Sequence, residues 1–230
     1  MLCQTFEPYV ATYNLTIRAP EGSYAQTYAK ENRIPFVAYD PVMPNLSSAS
    51  PWAREALQIA YEKGYIPSDL LGGYTENVNR GEFCRLAVGF LEYYTGKSID
   101  RILEEKGLVR DYNTFRDTKD PNILAAYLLG IVAGTPTPQG LEFRPGGVFT
   151  REAAAGMFRN ACAAAGMDVS DTADAGAVDI GLASFPVTRD GLNFCINSGY
   201  MSGSSTTELR VNPLGRYIRE ASILMFSVVR

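Results

Sequence analysis

The sequence predicts a mainly α-helical protein in which three helix-loop-helix copies pack around a shared centre. A glycine followed by two apolar residues recurs as GYI at Gly64, GIV at Gly130 and GYM at Gly199, each closing a segment with apolar residues at helical intervals. An arginine stands near the start of a second helical pattern 16, 21 and 20 residues further on, at Arg80, Arg151 and Arg219. One helix-loop-helix of this size cannot bury both its apolar faces, so the copies need one another.

The first helix of each copy reads WAREALQIAYEK, PNILAAYLL or TRDGLNFCINS, and each glycine stands where a left-handed residue ends a helix. The second helices lie in VNRGEFCRLAVGF, FTREAAAGMFRNA and YIREASILMFSVV, with arginines 71 and 68 residues apart. Pro145 and Pro213 precede the second and third arginines by six residues, so the loops keep register. Six residues after each arginine comes Leu86, Met157 or Met225, followed by Ala87, Phe158 or Phe226, as a core-facing stripe requires. Thr150 is a good N-cap, and Asn79 with Glu82 has the spacing of a capping box. Between the copies, SIDRILEEKG reads as a short extra helix with Ser98 as cap and Gly107 as stop. Residues 167–179 are small and acidic and read as a linker. Asp168, Asp171 and Asp174 lack the spacing of an EF-hand loop, which makes this stretch a solvated loop. The boundaries follow: 1–45 for an N-terminal unit, then 46–110, 111–167 and 168–230 for the three copies.

With 230 residues and 46% hydrophobic content the chain can bury a sizeable core. A net charge of −4 and a pI near 5.0 argue against a nucleic-acid partner, which needs a basic field. No apolar run approaches the roughly 18 residues of a membrane span, and MLCQTFEPYV has neither a basic nor an apolar signal region. Histidine is absent, which removes His-based acid/base catalysis, Ser-His and Cys-His nucleophiles and most zinc sites. Cys3, Cys84, Cys162 and Cys195 are far apart, and three of them fall among apolar residues of helical segments, as buried free thiols do. No cofactor or metal is expected.

Taken in order, FRDT at Phe115, GIVAG at Gly130, FRP at Phe143 and FTREA at Phe149 resemble an S-layer homology (SLH) motif, and the resemblance covers three tandem copies from about Ser48 to Arg230. It implies a monomeric, pseudo-threefold helical bundle that binds secondary cell-wall polysaccharide at the bacterial surface, often through pyruvate-ketal sugars. The motif's TRAE arginine falls on Arg80, Arg151 and Arg219. This sequence departs from the family in places. The first copy lacks FxP and is short between Gly64 and Arg80, Ile218 replaces the capping threonine, and Ala153 and Ala221 replace the motif's glutamate. Residues 14–40 resemble the closing strand-helix-strand unit of a BspA-type leucine-rich repeat. That resemblance implies a longer surface protein whose repeats and secretion signal lie upstream. The other reading makes residues 1–45 an appendage of the helical part.

A first-turn side chain placed for helix stability alone should be acidic, so Arg151 after Thr150 has the wrong sign. The expectation is that it serves a ligand: unpaired N–H groups and the dipole favour an anion there, and a guanidinium fork matches a carboxylate. Gly130 with Gly134, and Gly199 with Gly203, flank the turn where a sugar ring would approach the backbone; the first copy keeps Gly64 but has Ser68 at the second place. The candidate binding residues are therefore Arg80, Arg151, Arg219, Asn79, Thr150, Gly64, Gly130, Gly134, Gly199 and Gly203. The competing reading has the arginines pairing with acids of the adjacent copy, Arg219 above all. Trp52, Tyr65, Tyr74 and Tyr200 are candidate sugar-stacking residues, with Trp52 expected in the core instead. A carboxylate hydrolase would need two facing acids. Glu76, Glu82, Glu142, Glu152 and Glu220 are available, but none is paired by context, and Glu152 and Glu220 read as first-turn acids. The function expected is noncatalytic cell-wall anchoring, with a protein-interaction module of a surface adhesin as the alternative.

Overall fold

The structure is a computed structural model that describes residues 16–19, 21–38 and 42–228. Cys3 and the ends of the 14–40 segment lie outside the described residues. The chain divides into two units, Met1–Met43 and Pro44–Arg230.

In the first unit, β1 (Ile17–Ala19) and β2 (Phe36–Ala38) pair in parallel, with Ile17 opposite Phe36 and Ala19 opposite Ala38. Parallel strands need a crossover, which α1 (Tyr24–Glu31) supplies; the Ser23 hydroxyl caps it by accepting from the Gln26 N–H.

The second unit is mainly helical. Its helices are α2 (Arg54–Glu62), α3 (Arg80–Thr95), α4 (Ile99–Glu105), α5 (Pro121–Leu128), α6 (Arg151–Ala164), α7 (Pro186–Asn197) and α8 (Arg219–Ser227). A two-stranded antiparallel hairpin, β3 (Thr135–Thr137) with β4 (Gly140–Glu142), interrupts them. The expected stops hold: Gly64, Gly130 and Gly199 have φ of 77°, 73° and 72°, conformations that L side chains resist. Ser98 caps α4 by accepting from the Arg101 N–H, and Gly107 ends it at φ 64°.

The helices pack in pairs, α2 on α8, α5 on α3 and α7 on α6, and α3 also contacts α6 and α8. At their centre Phe90, Phe158 and Phe226 meet, with ring centroids 5.0, 5.0 and 6.5 Å apart. Truncating such a fully buried ring costs about 3–5 kcal/mol. The tightest crossing is between α6 and α7, where a Cβ added at Gly191 would lie 2.7 Å from the Gly156 nitrogen.

The loops entering α3, α6 and α8 share one conformation. Each contains a left-handed residue, Gly73 (φ 58°), Arg144 (61°) or Asn212 (44°). Isolated antiparallel bridges then join each helix start to the next loop: Asn79 to Val148, Thr150 to Arg216, and Ile218 to Asn77. Two loops hang on a buttressing aspartate. Asp117 accepts from the Phe143 and Arg144 N–H groups at 2.8 and 2.6 Å, and Asp179 from those of Val211 and Asn212 at 2.8 and 2.9 Å. In the first loop Ser48 Oγ accepts from the Tyr74 N–H at 3.4 Å.

Three sequence expectations need correction. Trp52 is not in the core but 65% exposed, because it precedes α2 rather than lying on its buried face. Tyr65 and Tyr74 are buried, at 3% and 0% exposure, and offer no face to a sugar. Asp179, grouped with the solvated linker, is buried because its carboxylate ties down the loop before α8. Asp168, Asp171 and Asp174 are exposed, as expected of a solvated loop.

Candidate functional site

The helix starts were expected to present unpaired N–H groups to an anion, and the structure pairs them instead. The N–H of the second residue of each arginine-started helix donates to the neighbouring loop: Gly81 to Pro145 O at 2.8 Å, Glu152 to Pro213 O at 3.0 Å and Glu220 to Tyr74 O at 2.8 Å. The Arg151 and Arg219 N–H groups donate to Gly215 O and Glu76 O. These carbonyls explain how Ile218, with no side-chain acceptor, can begin a helix. Asn79 and Glu82 form the expected capping box, and Thr150 Oγ1 accepts from the Ala153 N–H, so both polar side chains are spent on their own helices.

The three arginines have different environments. Arg219 is 9% exposed; its Nη1 donates to Gly72 O at 2.5 Å and its Nη2 to Glu82 Oε1 at 2.9 Å. It holds two copies together and is withdrawn from ligand binding. Arg80 donates from Nη2 to Ala133 O at 2.6 Å, lies 4.8 Å above the Phe143 ring, and has a buried Nε without a partner. Burial pulls its pKa below the usual arginine value, although a guanidinium stays charged at neutral pH. Arg151 donates from Nε to Val211 O at 2.7 Å and from Nη2 to Ser202 O at 2.8 Å, with its guanidinium 5.5 Å above the Tyr217 ring. Two of the five guanidinium donors are thereby used and the plane is fixed, with the rest left over.

Only at Arg151 does one of the three arginines border a described groove. This depression, about 480 Å³, lies within the usual range of ligand pockets. Trp52, Ala56, the turn from Gly199 to Gly203, Tyr217, Ala221 and Leu224 line it together with Arg151. Tyr200 is half-buried there against Phe158 and Phe194, and burial raises its phenol pKa, so it stays neutral. The groove combines one fixed cation, an exposed indole and apolar walls. Such a surface suits a ligand with a carboxylate beside a partly apolar ring.

A smaller depression of about 320 Å³ lies beside Gly64. Its cations are already engaged: Arg85 with Asp69 and Asp120, and Lys63 with the Ser227 carbonyl.

The glycines divide by role. A Cβ added at Gly64, Gly130 or Gly199 would meet nothing within 4 Å, so open space does adjoin the turns. At Gly134 and Gly203 the expectation fails. The space left by the missing side chain is taken by Leu141, 2.5 Å from the added Cβ, and by Leu209, at 3.0 Å. Those two glycines make room for the protein's own leucines, although Gly203 also lines the Arg151 groove.

Four of the five acids, all but the exposed Glu76, are committed too. Glu152 is buried and accepts from the Ser184 N–H and hydroxyl and from the Thr188 hydroxyl, which fastens the start of α7 to α6. Glu220 accepts from the Ser50 N–H near the start of α2. Both stand in the first turn of their own helix, but the Glu152 carboxylate serves the start of α7 and that of Glu220 the segment before α2. Glu142 pairs with Arg116 and Arg144. Among the described residues, no group of three or more acids or cysteines could hold a metal ion, and no helix is long and apolar enough to cross a membrane. The sequence matches no protein-family model, and it matches no curated protein.

Proposed function

We propose that residues 46–230 are three S-layer homology motifs in a pseudo-threefold arrangement, and that they act as a noncatalytic module binding a carboxylate-bearing cell-wall polysaccharide. The groove at Arg151 is the observation that carries this reading: a planar cation fixed by two carbonyls, next to the exposed Trp52 ring and the Gly199 turn. The three bridges between helix starts and following loops support the threefold arrangement, since they link first copy to second, second to third and third to first. The commitment of Glu82, Glu142 and Glu152 to arginines and helix starts supports a binding role over hydrolysis. In the same reading, the N-terminal strand-helix-strand is a leucine-rich-repeat-like unit, and the protein works at the cell surface.

Cosedimentation with purified cell walls tests this. Binding should disappear when the secondary polymer is chemically stripped and weaken in Arg151→Ala. A protein-interaction module would be indifferent to the polymer, and an enzyme would release reducing sugar.

A further inference from the structure

The depression beside Gly64 holds, in the first copy, the place that the Arg151 groove holds in the third. Each is bordered by the turn after the closing glycine and by the arginine-started helix that follows. Their chemistry differs. Arg219, the counterpart of Arg151 at this place, does not line the depression, and Arg85 stands where the third copy has Leu224. The two cations here, Lys63 and Arg85, face three carboxylates, since Glu92 lines the same depression and Asp69 and Asp120 both pair with Arg85. No surplus positive charge is left to draw an anion.

Groups that suit hydroxyls do remain. Tyr93 is 47% exposed and lines the depression, its ring in tilted contact with Tyr65 at 5.8 Å. Glu92 uses one carboxylate oxygen to accept from the Ile99 N–H at 2.7 Å, and Lys63 uses one of its three ammonium donors on the Ser227 carbonyl. The Asn122 side-chain amide forms no hydrogen bond among the described residues; its backbone N–H donates to Asp120. Open space adjoins the turn at Gly64, where an added Cβ would meet nothing within 4 Å. An aromatic ring beside uncommitted donors and acceptors suits a pyranose, whose C–H face packs on the ring while its hydroxyls bond at the edge.

We infer that this depression is a subsite for an uncharged sugar unit, with Tyr93 as its stacking face and Asn122, Lys63 and Glu92 as its hydroxyl partners. The assignment rests on the wall-polymer reading: the Arg151 groove takes a carboxylate-bearing unit, and this subsite a neutral unit of the same polymer. The two adjoin at the end of α8, where Ser227 lines the groove and its carbonyl accepts from Lys63.

Amide chemical shifts of the full chain test it, titrated with polysaccharide released from the wall, either intact or with its carboxyl groups reduced to alcohols. The carboxyl-reduced polymer should shift the amides of Gly64, Tyr65 and Glu92. Tyr93→Ala should weaken that binding roughly two- to tenfold, the range of a ring contact, and Tyr93→Phe, which keeps the ring, should not. Asn122→Ala, which removes no side-chain bond within the fold, is the second variant and should weaken it by a similar factor. If only the intact polymer binds, the wall-polymer function stands and the neutral subsite falls. The subsite also falls if Tyr93→Ala and Asn122→Ala both bind the carboxyl-reduced polymer as the unaltered protein does. If neither polymer binds, the wall-polymer function falls and this inference with it.

Discussion

Arg219 and Glu82 are joined across 2.9 Å with side-chain exposures of only 10% and 15%, whereas Arg151, at the same position of its own copy, is held by two carbonyls and the Tyr217 ring. Removing one partner of a buried pair leaves the other charge uncompensated, at about 3–5 kcal/mol. Arg219→Ala should therefore lower the urea unfolding free energy by about 3 kcal/mol. Arg151→Ala frees two carbonyls, one on the exposed Ser202 and one on the buried Val211, and leaves no charge uncompensated, so it should lose less, about 1–2 kcal/mol. Equal losses would contradict the division between a structural and a binding arginine.

Trp52 is expected to matter for binding and not for folding. With its ring exposed at the groove margin, Trp52→Ala should leave the melting temperature within a few degrees. Wall binding should fall roughly two- to tenfold, the range of about 0.5–1.5 kcal/mol for a ring contact. A large drop in melting temperature with unchanged binding would restore Trp52 to the core.

The buttressing aspartates give an acid sensitivity whose sign is fixed. Burial by itself would raise the Asp179 carboxyl, but the N–H groups of Val211 and Asn212 outweigh it and hold the pKa below the usual carboxylate value. Asp117 is lowered in the same way by Phe143 and Arg144, against its own desolvation. A depressed folded-state pKa contributes stability that is present above the unfolded value, near 3.9, and is lost as pH falls through the folded one. Stability should decline below about pH 4, and Asp179→Asn should flatten that decline while lowering stability at pH 7. Urea titrations across pH 2–7 would show it.

The α6–α7 crossing leaves no room for a methyl group. Gly191→Ala would place its Cβ against backbone atoms of Gly156 and Ala155, and overpacking of this kind costs about 1–3 kcal/mol. Gly181→Ala, with nothing within 4 Å of its Cβ, serves as the control in the same unfolding measurement.

Cys84, Cys162 and Cys195 should be inert in the folded protein. Burial raises all three thiols, Cys162 to about 12 and Cys84 and Cys195 well above the usual thiol value, so the reactive thiolate is scarce at neutral pH. In a Cys3→Ser background a disulfide reagent should titrate none of the three until denaturant is added. Fast labelling of any would show that its helix opens.

What the residues determined by themselves is local. Helix stops at Gly64, Gly130 and Gly199, the caps at Asn79, Ser98 and Thr150, and the buried thiols were legible because each depends on neighbours a few residues away or on hydropathy. Partners at long range were not. The competing reading did anticipate that Arg219 pairs with an acid of another copy, but its choice of Glu82, 137 residues away, follows only from how the helix starts and loops interlock. The same packing filled the space at Gly134 and Gly203 with leucines, consumed the helix-start N–H groups and turned Trp52 outward. Nearly identical arginine contexts thus acquire different partners, because a guanidinium's surroundings depend on which acceptors the tertiary structure places within about 3 Å of it.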